Sequence, residues 1–184
     1  RKIALTGKYD REAWASTSFD IVKLIESCGG KFHITGLDHI KNTPGPVVFI
    51  SNHMSQLESM VFPSIISPHK EVTFVVKEDL VKHRFFGPVI QARKPIVISR
   101  SNSREDFKKV MDQGLELLAN GISVVIFPQS RRKIEFKPEE FNTLGVKLAG
   151  KANVKVIPVS LKTDFWRNGR YLKKYKYIKH VAAE

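Results

Sequence analysis

The chain has 184 residues, 42% of them hydrophobic, which suits one globular domain with a sizeable core rather than two domains. Lys and Arg outnumber Asp and Glu by 31 to 18, and the net charge of +13 favours an anionic partner: nucleic acid, an anionic membrane surface or a phosphorylated ligand. The single cysteine excludes an internal disulfide, which favours a cytosolic or cytosol-facing location, and no apolar run approaches the roughly 20 residues that span a bilayer.

The first predicted element is a helix over residues 10–28, where apolar side chains recur at three- to five-residue intervals before two glycines. Short runs of strand-forming residues then predict strands over residues 31–36, 45–51, 71–76 and 95–99. A helix with Ser103 as its N-cap follows over residues 103–121, and two further strands are predicted over 122–127 and 154–161. This alternation predicts an α/β fold: a single domain with a mixed, largely parallel sheet flanked by helices.

The stretch VVFISNHMSQLESMVFPSII places His53 directly after a buried strand and Glu58 five positions later. Ligands bind at the carboxyl ends of strands in open α/β sheets, so this location favours a functional site. Residues five apart differ by about 140° around a helix, so the two side chains meet only if His53 lies in the turn before the helix. Ser55 and Glu58 also match the S-x-x-E capping box, in which the glutamate only satisfies backbone N–H groups. The spacing alone leaves both interpretations open.

The segment NHMSQLE resembles the NHxSxxD block of the glycerolipid acyltransferases, the lysophosphatidic acid acyltransferase family, with a glutamate as the acid. Three further segments resemble later blocks of that family in the same order: VKEDLVKHRFFGPVIQARKPIVISR, then FPQSRR in place of FPEGTR, then VKVIPVSL. The resemblance implies acyl transfer from acyl-CoA or acyl carrier protein to the hydroxyl of a lysophospholipid, in particular 1-acyl-glycerol-3-phosphate, in phospholipid biosynthesis. It implies no cofactor and no metal.

The resemblance also implies roles for the first block. His53 would act as the general base that takes the proton of the acceptor hydroxyl, since an imidazole oriented by a carboxylate does this at neutral pH. Glu58 would hold the ring and favour the imidazolium that forms, as the acid does in a serine-protease triad. The substrate's own hydroxyl replaces the serine, so no acyl-enzyme is needed.

The substrate-binding residues that the resemblance implies are Lys77, Arg100, Gln129, Ser130 and Arg132. The two arginines would hold the acceptor phosphate, because planar guanidinium groups suit phosphate oxygens.

Four positions depart from the family pattern. Gln129 stands where Glu is usual, Ser130 where Gly is usual, Arg131 where Thr is usual, and Lys94 replaces a glycine of the second block. We expect these changes to make the region around the acceptor phosphate more positive. They also leave open a different lysolipid acceptor, or an acyltransferase-like protein without activity.

The resemblance divides the chain into an N-terminal helical segment at 1–30, a motif-bearing core at 31–162 and a basic C-terminal segment at 163–184. The last segment contains YLKKYKYIKH, whose tyrosines and lysines suit an edge strand protected by lysines, or a surface for nucleic acid or lipid head groups. In the second block, HRFFGPVI suits core packing, a bilayer contact or the lining of an acyl channel. Because the chain begins at Arg1, we expect a piece of a longer or trimmed protein.

The six histidines show no H-x3-H pairing, so we predict no metal site. A non-catalytic module that binds nucleic acid or membranes is the alternative from another class, supported by the net charge and the C-terminal tyrosines and lysines. The four blocks favour the enzyme. We therefore expect peripheral association with an anionic membrane on its cytosolic face, and no nucleic-acid partner.

Overall fold

The computed structural model describes residues 2–129 and 131–163, and its centre is a five-stranded sheet in the order β3-β2-β4-β1-β5. The strands are β1 (Val47–Ser51), β2 (Val72–Lys77), β3 (Ile96–Ile98), β4 (Ser123–Ile126) and β5 (Lys155–Val159). Every strand pairing among the described residues is parallel. The predicted α/β fold is confirmed, and the sheet is parallel throughout rather than mixed.

Helices cover both faces of the sheet, as a parallel sheet requires. They are α1 (Lys2–Leu5), α2 (Arg11–Ser27), α3 (Leu37–Asn42), α4 (Leu57–Ile66), α5 (Glu78–Val81), α6 (Gly87–Gln91), α7 (Ser103–Ala119) and α8 (Leu144–Ala152), with a 3₁₀ turn at Pro138–Glu140. One face packs against α2, α3 and α4 through a cluster that includes Phe49 and Phe62. The other face packs against α7 and α8 through Val124, Val110 and Leu148. Within the described ranges, no helix combines the length and apolarity needed to cross a bilayer.

The predicted strand over residues 31–36 is wrong. The segment runs from α2 to α3 without strand pairing, and all of it is exposed except Phe32, which packs on the cluster between α2 and α4. An alternating pattern becomes a strand only where a neighbouring strand supplies hydrogen bonds, and none lies beside this segment among the described residues.

The predicted N-cap of α7 is wrong by one residue. The N-cap is Asn102, whose Oδ1 accepts hydrogen bonds from the backbone N–H groups of Arg104 at 3.2 Å and Glu105 at 3.3 Å, and Ser103 is the first helical residue. Both residue types suit this position, so composition alone does not choose between neighbours.

The parallel pairing brings the carboxyl ends of all five strands to one side of the sheet, here called the carboxyl edge. The chain leaves this edge after β1 towards His53, after β3 towards Arg100 and after β4 towards Gln129. Three of the four blocks thus place predicted site residues at one edge, and β5 carries the fourth block beside β1.

Candidate active site

His53 lies two residues after β1, in the turn before α4, and Glu58 is the second residue of that helix. The Nδ1 atom of His53 is 3.0 Å from Oε1 of Glu58. Because a carboxylate oxygen only accepts, Nδ1 donates, and Nε2 of the neutral ring is left with its lone pair. The imidazole also stacks on Phe127, with ring centroids 4.3 Å apart, which fixes the plane of the ring. The arrangement can present Nε2 as a base at the carboxyl edge.

Glu58 is buried, and both of its carboxylate oxygens accept hydrogen bonds. Oε1 accepts from the main-chain N–H groups of Met54 and Ser55, both at 2.6 Å. Oε2 accepts from the hydroxyls of Ser55 at 2.5 Å and Thr163 at 2.8 Å. Burial alone would raise the pKa of Glu58, but the hydrogen bonds from His53 and Ser55 outweigh burial and lower the pKa below its ordinary value. Glu58 is therefore ionised at neutral pH.

The two interpretations of Glu58 from its spacing are both present in the structure. Its return hydrogen bond to the N–H of Ser55 is the glutamate half of a capping box, and the Ser55 hydroxyl accepts from the N–H of Leu57 at 3.0 Å. The same oxygen that bonds Ser55 also bonds the His53 ring. The cap thus fixes the carboxylate that orients the histidine.

The third block holds the main chain of His53 from two sides. Gln129, which is buried, accepts the His53 N–H on its Oε1 at 2.6 Å. The N–H of Lys133 donates to the His53 carbonyl at 2.9 Å. The segment after β4 therefore fixes the backbone of the turn that carries the histidine.

Two arginines bring positive charge to the same neighbourhood. Burial lowers the pKa of Arg132, Glu58 acts to raise it, and the positive charge of Arg100 acts to lower it further, so these three groups are close enough to interact. Arg100 adopts a left-handed backbone conformation with φ of 63°. The carboxylate of Asp106 holds this turn by accepting from the N–H groups of Ser99 at 2.9 Å and Arg100 at 2.7 Å.

A known family accounts for this combination of motif and fold, since the sequence model described as Acyltransferase matches residues 31–162. The chain belongs to the acyltransferase family. It is 31% identical over 132 residues to the 1-acyl-sn-glycerol-3-phosphate acyltransferase of Pseudomonas aeruginosa, a match that covers 72% of this chain and 49% of that protein. It is 28% identical over 131 residues to the enzyme of the same name from Chlamydomonas reinhardtii, covering 71% of this chain and 38% of that protein. The chain thus spans about half the length, or less, of these relatives.

The fold has a counterpart among solved structures. The crystal structure of the 1-acyl-sn-glycerophosphate acyltransferase PlsC from Thermotoga maritima matches with a TM-score of 0.69 and 19% sequence identity, over 87% of this chain and 61% of that chain. At this identity the match shows the fold alone. The family resemblance drawn from the four sequence blocks is confirmed by the family model.

The structure brings some of the residues that the family resemblance indicates less close to His53. Lys77, the last residue of β2, pairs its ammonium with Asp79, and none of its described contacts reaches the cluster around His53. Ser130 lies outside the described residues.

The expectation that Lys94 adds charge near the acceptor phosphate is wrong. Lys94 precedes β3, whereas Arg100 follows it, so the two lie at opposite edges of the sheet. Lys94 has a φ of 47°, in the left-handed region that favours glycine, which accounts for the glycine that the family usually has here. Among the block-three changes, Arg131 is exposed on the segment after β4.

Two residues of the site are absent from the sequence prediction. The side chain of Asn52 donates from Nδ2 to the carbonyl of Leu161 at 2.9 Å and accepts the Leu161 N–H on Oδ1 at 2.8 Å, which ties the end of β1 to the end of β5. Thr163 donates to Glu58 from the segment after β5. Asn52 is adjacent to His53 in the first block and carried a usable signal, whereas no local pattern marks Thr163.

Proposed function

We propose that this chain carries the acyl-transfer site of a 1-acylglycerol-3-phosphate O-acyltransferase, which moves an acyl group from a thioester donor to the hydroxyl of a lysophospholipid. The donor is acyl-CoA or acyl carrier protein, and the acceptor is 1-acyl-glycerol-3-phosphate. The observation that carries the proposal is the 3.0 Å contact between His53 and the buried Glu58, which leaves Nε2 of the ring to act on a substrate. Membership of the acyltransferase family and the names of the relatives support the substrate class.

In the proposed reaction His53 Nε2 takes the proton of the acceptor hydroxyl as its oxygen attacks the carbonyl carbon of the thioester. The new C–O bond forms and the carbonyl oxygen gains negative charge. The intermediate then collapses, the C–S bond breaks, and the thiolate takes the proton from the imidazolium. Glu58 favours the imidazolium between these steps. The products are the diacyl ester and the free thiol, and neither a covalent acyl-enzyme nor a cofactor is required.

Arg100 and Arg132 are proposed to bind the acceptor phosphate. Their mutual effect on the pKa of Arg132 supports this, because two neighbouring cations repel each other and an anion between them relieves the repulsion. We keep Lys77 and Ser130 as substrate-binding residues by family resemblance. Another lysolipid with an anionic head group would suit the same arginines.

We propose that the protein meets its substrates as a peripheral protein at an anionic membrane on its cytosolic face. Two segments that leave the carboxyl edge expose large apolar side chains: Phe85 and Phe86 after β2, and Ile134 and Phe136 after β4. Arg84 is exposed beside the first pair. Apolar side chains flanked by basic ones suit the boundary between lipid head groups and acyl chains.

An acyl-transfer assay tests the proposal. The purified protein is incubated with acyl-CoA, or with acylated carrier protein, and a panel of lysolipids with and without a phosphate, and the products are identified by mass spectrometry. We expect a diacyl product from the phosphorylated acceptor that disappears in His53→Ala. Turnover that persists in the correctly folded His53→Ala protein would show that the site is assigned to the wrong residues, and a wild type that is inactive on every acceptor would contradict the function.

A further inference from the structure

Gln129 has a buried polar atom without a hydrogen-bond partner. Its Oε1 accepts the His53 N–H at 2.6 Å, and because that N–H is a donor, the atom facing it must be the amide oxygen. This fixes the orientation of the side chain and assigns the other end to the NH₂ group. The Nε2 atom of Gln129 is buried and has no hydrogen-bond partner within the described part of the chain. A buried donor in this state is rare in folded proteins and indicates a ligand or a catalytic role.

The position of this donor connects it to the reaction. Gln129 follows β4 at the carboxyl edge and touches the main chain of the residue whose ring is the proposed base. The side chain is only 3% exposed, so its NH₂ group is held by its surroundings rather than free to turn into solvent. A fixed, uncharged donor beside the base is suited to an oxygen that becomes negative during the reaction.

We infer that the NH₂ group of Gln129 donates a hydrogen bond to the thioester carbonyl oxygen and holds it as it becomes the oxyanion. This inference rests on the proposed acyl transfer. As the hydroxyl oxygen bonds to the carbonyl carbon, the carbonyl electron pair moves onto that oxygen. When the C–S bond breaks the pair returns, so Gln129 neither gains nor loses a proton. Arg100 and Arg132 already supply positive charge for a phosphate, which leaves the neutral amide for the acyl oxygen.

The Gln129→Glu substitution separates the donor from the rest of the side chain. It has nearly the same shape and keeps an oxygen for the His53 N–H, but it cannot donate. Loss of one oxyanion donor typically lowers kcat by about 10²- to 10³-fold, and we expect a loss in that range with the KM for acyl-CoA changed by less than about threefold. The matched control is Gln113→Glu, the same chemical change on the exposed face of α7, which should leave kcat unchanged.

The measurements are kcat and KM for acyl-CoA and for 1-acyl-glycerol-3-phosphate, together with thermal unfolding of each variant. If Gln129→Glu folds poorly, Gln129→Met, which is neutral and also lacks the donor, replaces it and should show the same loss of kcat. A kcat within about threefold of wild type in the folded variant would overturn the inference, as would a loss confined to the KM of the acceptor, which would place the amide on the phosphate. Either result leaves wild-type acyl transfer intact, whereas an inactive wild type would count against the proposed function itself.

Discussion

The substitution Glu58→Gln tests whether Glu58 acts through its charge or only as a helix cap. Glutamine can keep its Oε1 towards the donors that face Oε1 of Glu58, namely the His53 ring and the N–H groups of Met54 and Ser55. On the other side the hydroxyls of Ser55 and Thr163 can turn to accept from the new NH₂ group. The geometry of the cap and the tautomer of the histidine are therefore kept, and the negative charge is lost.

The size of the effect follows from the distance between the two groups. With an effective dielectric constant of about 20, unit charges separated by the 3.0 Å between His53 and Glu58 attract by about 5 kcal/mol. If the proton is about half transferred in the transition state, about half of this attraction acts there. A loss of about 2.5 to 3 kcal/mol corresponds to a kcat/KM about 100-fold lower. His53→Ala removes the base and should cost about 10²- to 10⁴-fold.

A double-mutant cycle on kcat/KM decides whether the two residues act as one unit. In a His53→Ala background, Glu58→Gln should cause little further loss, because a carboxylate that acts through the ring has nothing left to orient. Glu116→Gln, on the exposed face of α7, is the matched control for the change of residue type. Multiplied losses in the double variant, or near-normal activity of a folded Glu58→Gln protein, would refute a role through His53.

Four further results are expected. Because a hydrogen bond to a charged group is worth about 1.5 to 3 kcal/mol, Arg100→Ala should lower acceptor kcat/KM about 10- to 100-fold, and Arg100→Ala with Arg132→Ala should abolish the preference for a phosphorylated acceptor. Asp106→Ala, which frees the left-handed turn, should reproduce part of the Arg100→Ala loss in the same assay; an unchanged KM would show that the turn holds without it. The lowered pKa of Glu58 means that its stabilisation is full above the ordinary value of 4.5 and is lost as the pH falls through the folded-state pKa, so denaturant unfolding should show Glu58→Gln catching up with wild type on acidification. Vesicle binding should rise with anionic lipid and fall with salt, and equal binding to neutral vesicles would contradict association through charge.

The sequence was sufficient for most of the fold because the strands of a parallel sheet are buried on both faces. Runs such as VVFI and SVVI then appear as continuous apolar segments between amphipathic helices, and all five strands of the described sheet coincide with such runs. The segment at 31–36 has the right residue types, but whether a neighbouring strand lies beside it is a property of the tertiary structure. The same distinction accounts for the parallel rather than mixed sheet.

The candidate site was predictable where its contacts are local. His53 and Glu58 are five residues apart, and the turn between them is readable from the strand, the histidine and the S-x-x-E pattern. The hydrogen bond from Thr163 to Glu58 joins residues 105 positions apart, and no local signal marks it. Lys94 shows the opposite error, since proximity to Arg100 in sequence suggested proximity in space while β3 separates them.

The exchange of the family's glutamate for Gln129 has a different meaning in the structure than in the sequence. As a loss of charge next to Arg132 it suggested a change in the acceptor. In the structure one oxygen of the side chain accepts the His53 N–H, a contact that glutamate and glutamine can both make. The substitution therefore preserves the support of the histidine turn and changes only the second atom, from an acceptor to a donor. A position that fixes the base and also faces outward from it can alter the reacting oxygen's surroundings without moving the base, which is why activity and a departure from the family pattern are compatible at this residue.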